Sequence, residues 1–134
     1  MIAKFKIGTS SKEDYKKFLK KAEEFFEMMQ QSLIKEKWNA AGLNAIHTGI
    51  SANDALLTFH FGLRSINPKH DDAVKLLISM MKRDDTEKKA KHLRRLISAK
   101  NLVEYDGRLL SRKEAESLAR HAERFLIWVN SLLP

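Results

Sequence analysis

The chain contains no cysteine, which excludes disulfides, zinc-thiolate sites and thiol nucleophiles and fits a reducing compartment. No Pro/Gly/Ser-rich linker interrupts the 134 residues, so a single domain over 1–134 is expected, with residues 1–10 as an N-terminal arm. The N-terminus has no apolar signal region. The longest charge-free run, Trp38 to Asn53, holds Asn39, Asn44, His47, Thr48, Ser51 and Asn53 and is too polar for a membrane span. A soluble, cytoplasmic protein is therefore expected. Familiar catalytic motifs are also missing: there is no Gly-rich phosphate loop, nucleophile elbow, Rossmann fingerprint or Glu-x-x-His pair. The five histidines, His47, His60, His70, His92 and His121, lack metal-ligand spacing, so no metal or cofactor is expected.

What is present is organised around Trp38 to Leu63, where Asp54 is the one unambiguous charge. At helical period Leu43, Ile46, Ile50, Leu56, Leu57, Phe59, Phe61 and Leu63 point all round a helix of about 39 Å, which other helices must wrap. Ala41, Ala45, Gly49 and Ala52 share a face where a partner backbone can come close. His47, Ser51, Asp54 and Thr58 form a polar stripe at i, i+4, i+7 and i+11. Two readings of the stripe stand side by side. Either these groups bond back to carbonyls one turn earlier and to each other, or they line a wet cleft or a subunit seam.

Around this helix the remaining segments read as amphipathic helices. Ser10 with Glu13 has the form of a capping box opening a helix with Tyr15, Phe18, Leu19, Ala22, Phe25, Phe26, Met29 and Leu33 on one side. Asn67-Pro68 reads as the start of a short helix, and Asp84, Asp85 and Thr86 offer caps for one carrying Ala90, Leu93, Leu96 and Ile97. After a connection over Asn101 to Leu110, Ser111 with Glu114 opens a last helix whose apolar face runs to the chain end. Met1 to Gly8 alternates weakly and reads as a short strand or an extended arm, but no segment reads as a sheet. The expected fold is all-α, a bundle of four long helices plus one short helix.

The net charge of +8 is concentrated, since residues 82–100 hold eight Lys and Arg against three acids. Lys88, Lys91 and Arg95 share one helical face, with Arg94 beside them. Such a run is either a solvated surface or a contact for nucleic-acid phosphates. Lys100, Asn101 and Tyr105 follow it. Tyr105 either stacks on a base or packs over the end of the bundle.

Two stretches carry a family resemblance. "HTGISANDALL", His47 to Leu57, resembles the second core helix of the HEPN domains, and "AKNLVEYDGRLLSRKEAESLARHAERFLIWVNSLL", Ala99 to Leu133, resembles their C-terminal part. With the helix order, the likeness covers most of residues 11–133. It implies a helical bundle that pairs about a two-fold seam and binds or acts on RNA or nucleotides. Many members are ribonucleases of toxin-antitoxin or defence systems that use an Arg-x4-6-His motif. Others have lost the motif and pair with nucleotidyltransferase proteins. Here Lys100-Asn101 stands where Arg-Asn is expected and the histidine is missing, with Glu104 nearby. Arg64 and His70 have the right spacing at the wrong place. The expectation is therefore a non-catalytic, cytoplasmic homodimer that binds RNA, a nucleotide or a nucleotidyltransferase partner. The alternatives are a metal-independent ribonuclease using Arg64 and His70, and an interaction bundle that binds no nucleic acid.

Overall fold

The computed structural model describes residues 5–67 and 71–134. It is a helical bundle around the segment with almost no charge, as the sequence implies. Helix α1 spans Tyr15–Ile34, α2 Trp38–Phe61, α3 Asp71–Met80, α4 Thr86–Ser98, α5 Lys100–Glu104 and α6 Arg112–Ser131. Thirteen residues of α2 are buried, against far fewer on any neighbour, because α1, α4 and α6 pack around it. Phe125, Leu56, Leu57, Leu76, Leu77 and Leu93 are fully enclosed, and each such side chain contributes about 1.5–3 kcal/mol of transfer free energy. A second cluster joins Met29 of α1, Ala45 and Ile46 of α2, Leu96 of α4 and Leu118 and Ala122 of α6.

At its glycines α2 admits leucine side chains. A Cβ on Gly49 would lie 2.5 Å from Cδ1 of Leu96, and one on Gly42 would overlap Leu110. Leucine tips from α4 and from the segment before α6 thus seat directly on the α2 backbone. The Leu110 amide also donates to Oδ1 of Asn39 at 2.8 Å, fixing that segment to the first turn of α2.

The start of α1 departs from the sequence reading, and the reason lies at the end of α2. Helix α2 stops at Gly62, whose φ of 67° closes it in the left-handed region. The Gly62 carbonyl then accepts from the Ser10 amide at 3.0 Å. With Ser10 so engaged, no Ser10–Glu13 capping box forms. The chain makes a single 3-10 turn at Lys12–Asp14, and α1 begins at Tyr15, whose ring meets Phe59 edge-on at 4.9 Å. The same junction creates a small sheet, contrary to the sheet-free reading: β1 (Ile7–Thr9) pairs antiparallel with β2 (Leu63–Ser65), Gly8 opposite Arg64. The short-strand alternative at the N-terminus falls in part on β1, whereas the three residues of β2 carry too little periodicity to be read from sequence.

Helix α4 lacks its expected side-chain cap, because the Asp85 carboxylate is taken by Nε1 of Trp128 and Nε of Arg83, both at 3.1 Å. Arg83 and Trp128 together hold that carboxyl below its usual range. The capping box of α6 is formed as expected, Ser111 Oγ accepting from the Glu114 amide and Glu114 from the Ser111 amide. In the expected connection after Asn101, residues 100–104 form the extra short helix α5. Pro68, expected at the first helical position after an Asn67 N-cap, lies outside the described residues. Among the described residues no helix is long and apolar enough to cross a membrane.

Candidate functional site

One stripe of α2 escapes full burial. Leu43, His47, Ile50 and Asp54, spaced four, three and four apart, remain half-open on one face while most of the remaining helix is enclosed. Helix α1 borders this stripe on one side, with the Phe25 ring 5.2 Å from the His47 ring. Across from it stand α5 and β2. Glu104 Oε1 lies 3.5 Å from His47 Nε2, and Lys100 Nζ lies 3.8 Å from Glu104 Oε2. Two turns on, Arg64 reaches to 3.9 Å from Asp54 Oδ2 and lays its guanidinium over the Phe18 ring, 4.9 Å from the centroid. All three ionic separations are longer than tight hydrogen bonds, so the ionic groups are gathered without being locked.

Burial governs the protonation of this stripe. It pushes the Asp54 carboxyl up to about 7, against the opposing pull of Arg64 and Lys21. It also holds the His47 imidazole below its ordinary value. There Glu104 works in the opposite sense and Lys100 in the same sense. Asp54 thus exchanges its proton near neutral pH, a property that suits acid–base work or a pH-sensitive contact.

The predicted polar stripe divides in two. Ser51 is buried and Thr58 fully so, its Oγ1 without a hydrogen-bond partner among the described residues. Only His47 and Asp54 reach the open stripe. Bonding back to carbonyls also occurs, at residues beside the stripe: Asn44 donates to Ala40 O at 2.9 Å and Thr48 to Asn44 O at 2.7 Å. The bonds back to carbonyls are thus made beside the stripe, and Thr58 within it makes none among the described residues. His70 lies outside the described residues. What stands next to Arg64 is Asp54.

The basic candidates also separate. Lys88, Lys91, Arg94 and Arg95 are exposed on α4, opposite its buried Ala90, Leu93, Leu96 and Ile97. Among the described residues none of these four cations forms an ion pair, although eight ion pairs occur elsewhere. Lys100 leaves this face for Glu104, at 18% side-chain exposure. Asn101 is exposed, and Tyr105, 74% exposed, does not cover the bundle end. Bonding to Glu104 raises the Tyr105 phenol above its usual range.

Sequence reasoning missed the contact between His92 of α4 and His121 of α6, whose Nδ1 atoms lie 2.9 Å apart. Twenty-nine residues separate them on two helices, and no local pattern could have paired them. Among the described residues no group of three His, Cys, Asp or Glu could hold a metal ion.

A family model, the HEPN domain, matches residues 15–132 of this chain. No curated protein and no solved structure matches it.

Proposed function

Since the chain belongs to the HEPN domain family, whose membership supports a nucleotide- or RNA-related role in general, we propose that it is a homodimeric RNA-binding domain. It holds single-stranded RNA on the exposed face of α4 and pairs through the open stripe of α2. The observation that carries the RNA reading is the unpaired charge of Lys88, Lys91, Arg94 and Arg95. Four adjacent cations without acidic partners repel one another, and phosphates relieve that repulsion while releasing counterions. Pairing is supported by Leu43 and Ile50, which leave apolar surface half-open in the middle of the most buried helix. By the family resemblance the catalytic histidine would fall near Lys100 to Tyr105, where this sequence has none.

Binding of a generic single-stranded RNA, measured over a salt series, tests this function. Its log–log slope should be about 0.7 per phosphate neutralised. Absence of binding at low salt would overturn the proposal. Sedimentation tests the pairing separately, and a monomer at tens of micromolar, a concentration at which stable homodimers persist, would overturn that part.

One observation favours the ribonuclease alternative, namely the Asp54 carboxyl near neutrality beside Arg64. In that reaction Asp54 takes the proton of a ribose 2′-hydroxyl and the freed oxygen attacks phosphorus. The 5′-oxygen leaves with a proton from solvent, giving a cyclic phosphate and a 5′-hydroxyl, while Arg64 steadies the phosphoryl charge. End-labelled RNA left intact by the wild type removes this reading. Cleavage that is lost in both Asp54→Asn and Arg64→Gln supports it.

A further inference from the structure

Between α4 and α6, away from the α2 stripe, lies a cavity of about 450 Å³ lined by Arg95, Ser98, Leu102, Leu110, Ser117 and His121, among others. Its floor is apolar and its rim carries an arginine, an imidazole and two hydroxyls. Half-buried His92 hydrogen-bonds His121 from behind, Nδ1 to Nδ1. One imidazole donates and the other accepts, so the neutral pair turns one Nε2–H and one bare Nε2 away from the contact. Adding a single proton converts the bare nitrogen into a second outward donor. We propose that this cavity binds an organic phosphate monoester, its dianionic group on Arg95 and His121 and its apolar body over Leu102, Leu110 and Leu118, with uptake of a proton by the histidine pair.

The surroundings leave this charge unbalanced. Lys88 and Lys89 of α4 and Arg124 of α6 act on His92, while Arg95, Arg120 and Arg124 act on His121. The one acid lining the cavity, Glu114, is already bidentate to Arg108 at 3.0 and 2.8 Å, and its carboxyl is held at about 2, chiefly by that arginine. Burial first, then for His92 the charge of His121 itself, and then these cations hold both imidazoles below their ordinary value, so the empty pair is neutral at pH 7. A dianion among the cations reverses the sign of the local field and draws the proton in. A phosphodiester, with one charge, does so less. Single-stranded RNA backbone on the α4 face and a monoester in this cavity are thus distinct ligands that share only Arg95.

Phenyl phosphate and its methyl diester are the probes, followed by calorimetry and by the imidazole NMR signals of the full chain. Phenyl phosphate should move the signals of both His92 and His121 and bind about three- to tenfold more tightly at pH 6 than at pH 8, through partial uptake of one proton. The diester should bind about tenfold more weakly, lacking the second charge. Arg95→Gln, an exposed change, and His121→Gln should each weaken phenyl phosphate, and His121→Gln should flatten its pH dependence, while Lys16→Gln on α1 should do neither. A 5′-phosphorylated dinucleotide that binds more tightly than phenyl phosphate would identify the source as an RNA end, and the reverse a small phosphorylated metabolite. Equal affinity for monoester and diester, no affinity for phenyl phosphate at pH 6, or an unchanged pH profile in His121→Gln overturns the proposal. Salt-dependent RNA binding that persists without phenyl phosphate binding refutes this site alone. The opposite result refutes the RNA face alone.

Discussion

The α2 stripe and the α4 face both present charge, but under opposite physical regimes. On α2, Asp54 and His47 are half-covered and matched by Arg64 and Glu104, and burial dominates their protonation. On α4 Lys88, Lys91, Arg94 and Arg95 stand in solvent, without acidic partners among the described residues. Charge on α2 is therefore linked to stability and pH, while charge on α4 is linked to salt and ligand. Substitutions in the two regions should separate along those lines.

The largest effect is expected at Asp54. Its carboxyl is near 3.8 when unfolded and about 7 when folded, so between those pH values the native state keeps a proton that the unfolded state has lost. Stability from this group is then full below about pH 4 and declines as pH rises through 7, by up to about 4 kcal/mol. Asp54→Asn should remove the decline and exceed the wild type in stability at pH 8. Denaturant melts of the two proteins at pH 4, 6 and 8 measure it. Parallel pH profiles would erase the distinction drawn between the regions.

Next comes the seam where the two helices touch. Gly49→Val inserts a Cβ and two methyl groups where Leu96 already sits, and should cost about 3 kcal/mol in urea unfolding, the upper range for overpacking. A cost under about 0.5 kcal/mol, typical of exposed positions, would mean that α4 does not seat there.

Replacing Arg94 and Arg95 together by Glu removes two phosphate contacts and adds two repulsions. RNA affinity should fall about ten- to a hundredfold and the salt slope by about 1.4, at 0.7 per contact. Melting should be nearly unchanged, since both side chains are solvent-exposed. The same slope and affinity in the variant would make the α4 face a solvated surface.

The smallest effect is on His47. Lys100→Gln removes a cation that lowers the imidazole and should let it titrate higher, whereas Glu104→Gln removes the group that raises it and should move it lower. Two-dimensional NMR titration reads both. Shifts of the same sign would show that α5 does not face α2 as described.

The sequence makes some parts of this molecule readable and hides others, according to the range of the forces involved. The all-round apolar character of Trp38 to Leu63 foretold a buried helix, and the Ser111–Glu114 spacing foretold a cap, because both depend on neighbours within a turn or two. The exposure of Lys88, Lys91, Arg94 and Arg95 followed from the four apolar residues opposite them. The capping box at Ser10 failed because the Ser10 amide had a distant competitor, the carbonyl of Gly62. Asp85 failed as a cap for the same kind of reason, its competitor being Trp128.

By itself, then, the sequence determined the helical class, the central helix, the basic face and the family likeness, all written in periodicity, composition and motif. Only the tertiary structure decided that Arg64 stands by Asp54, that Glu104 joins His47 to Lys100, and that His92 meets His121 across two helices. These pairings depend on helix rotation and on the return of β2 along β1. Both are set by packing between residues far apart in the chain, such as Leu96 on Gly49, which no local pattern encodes.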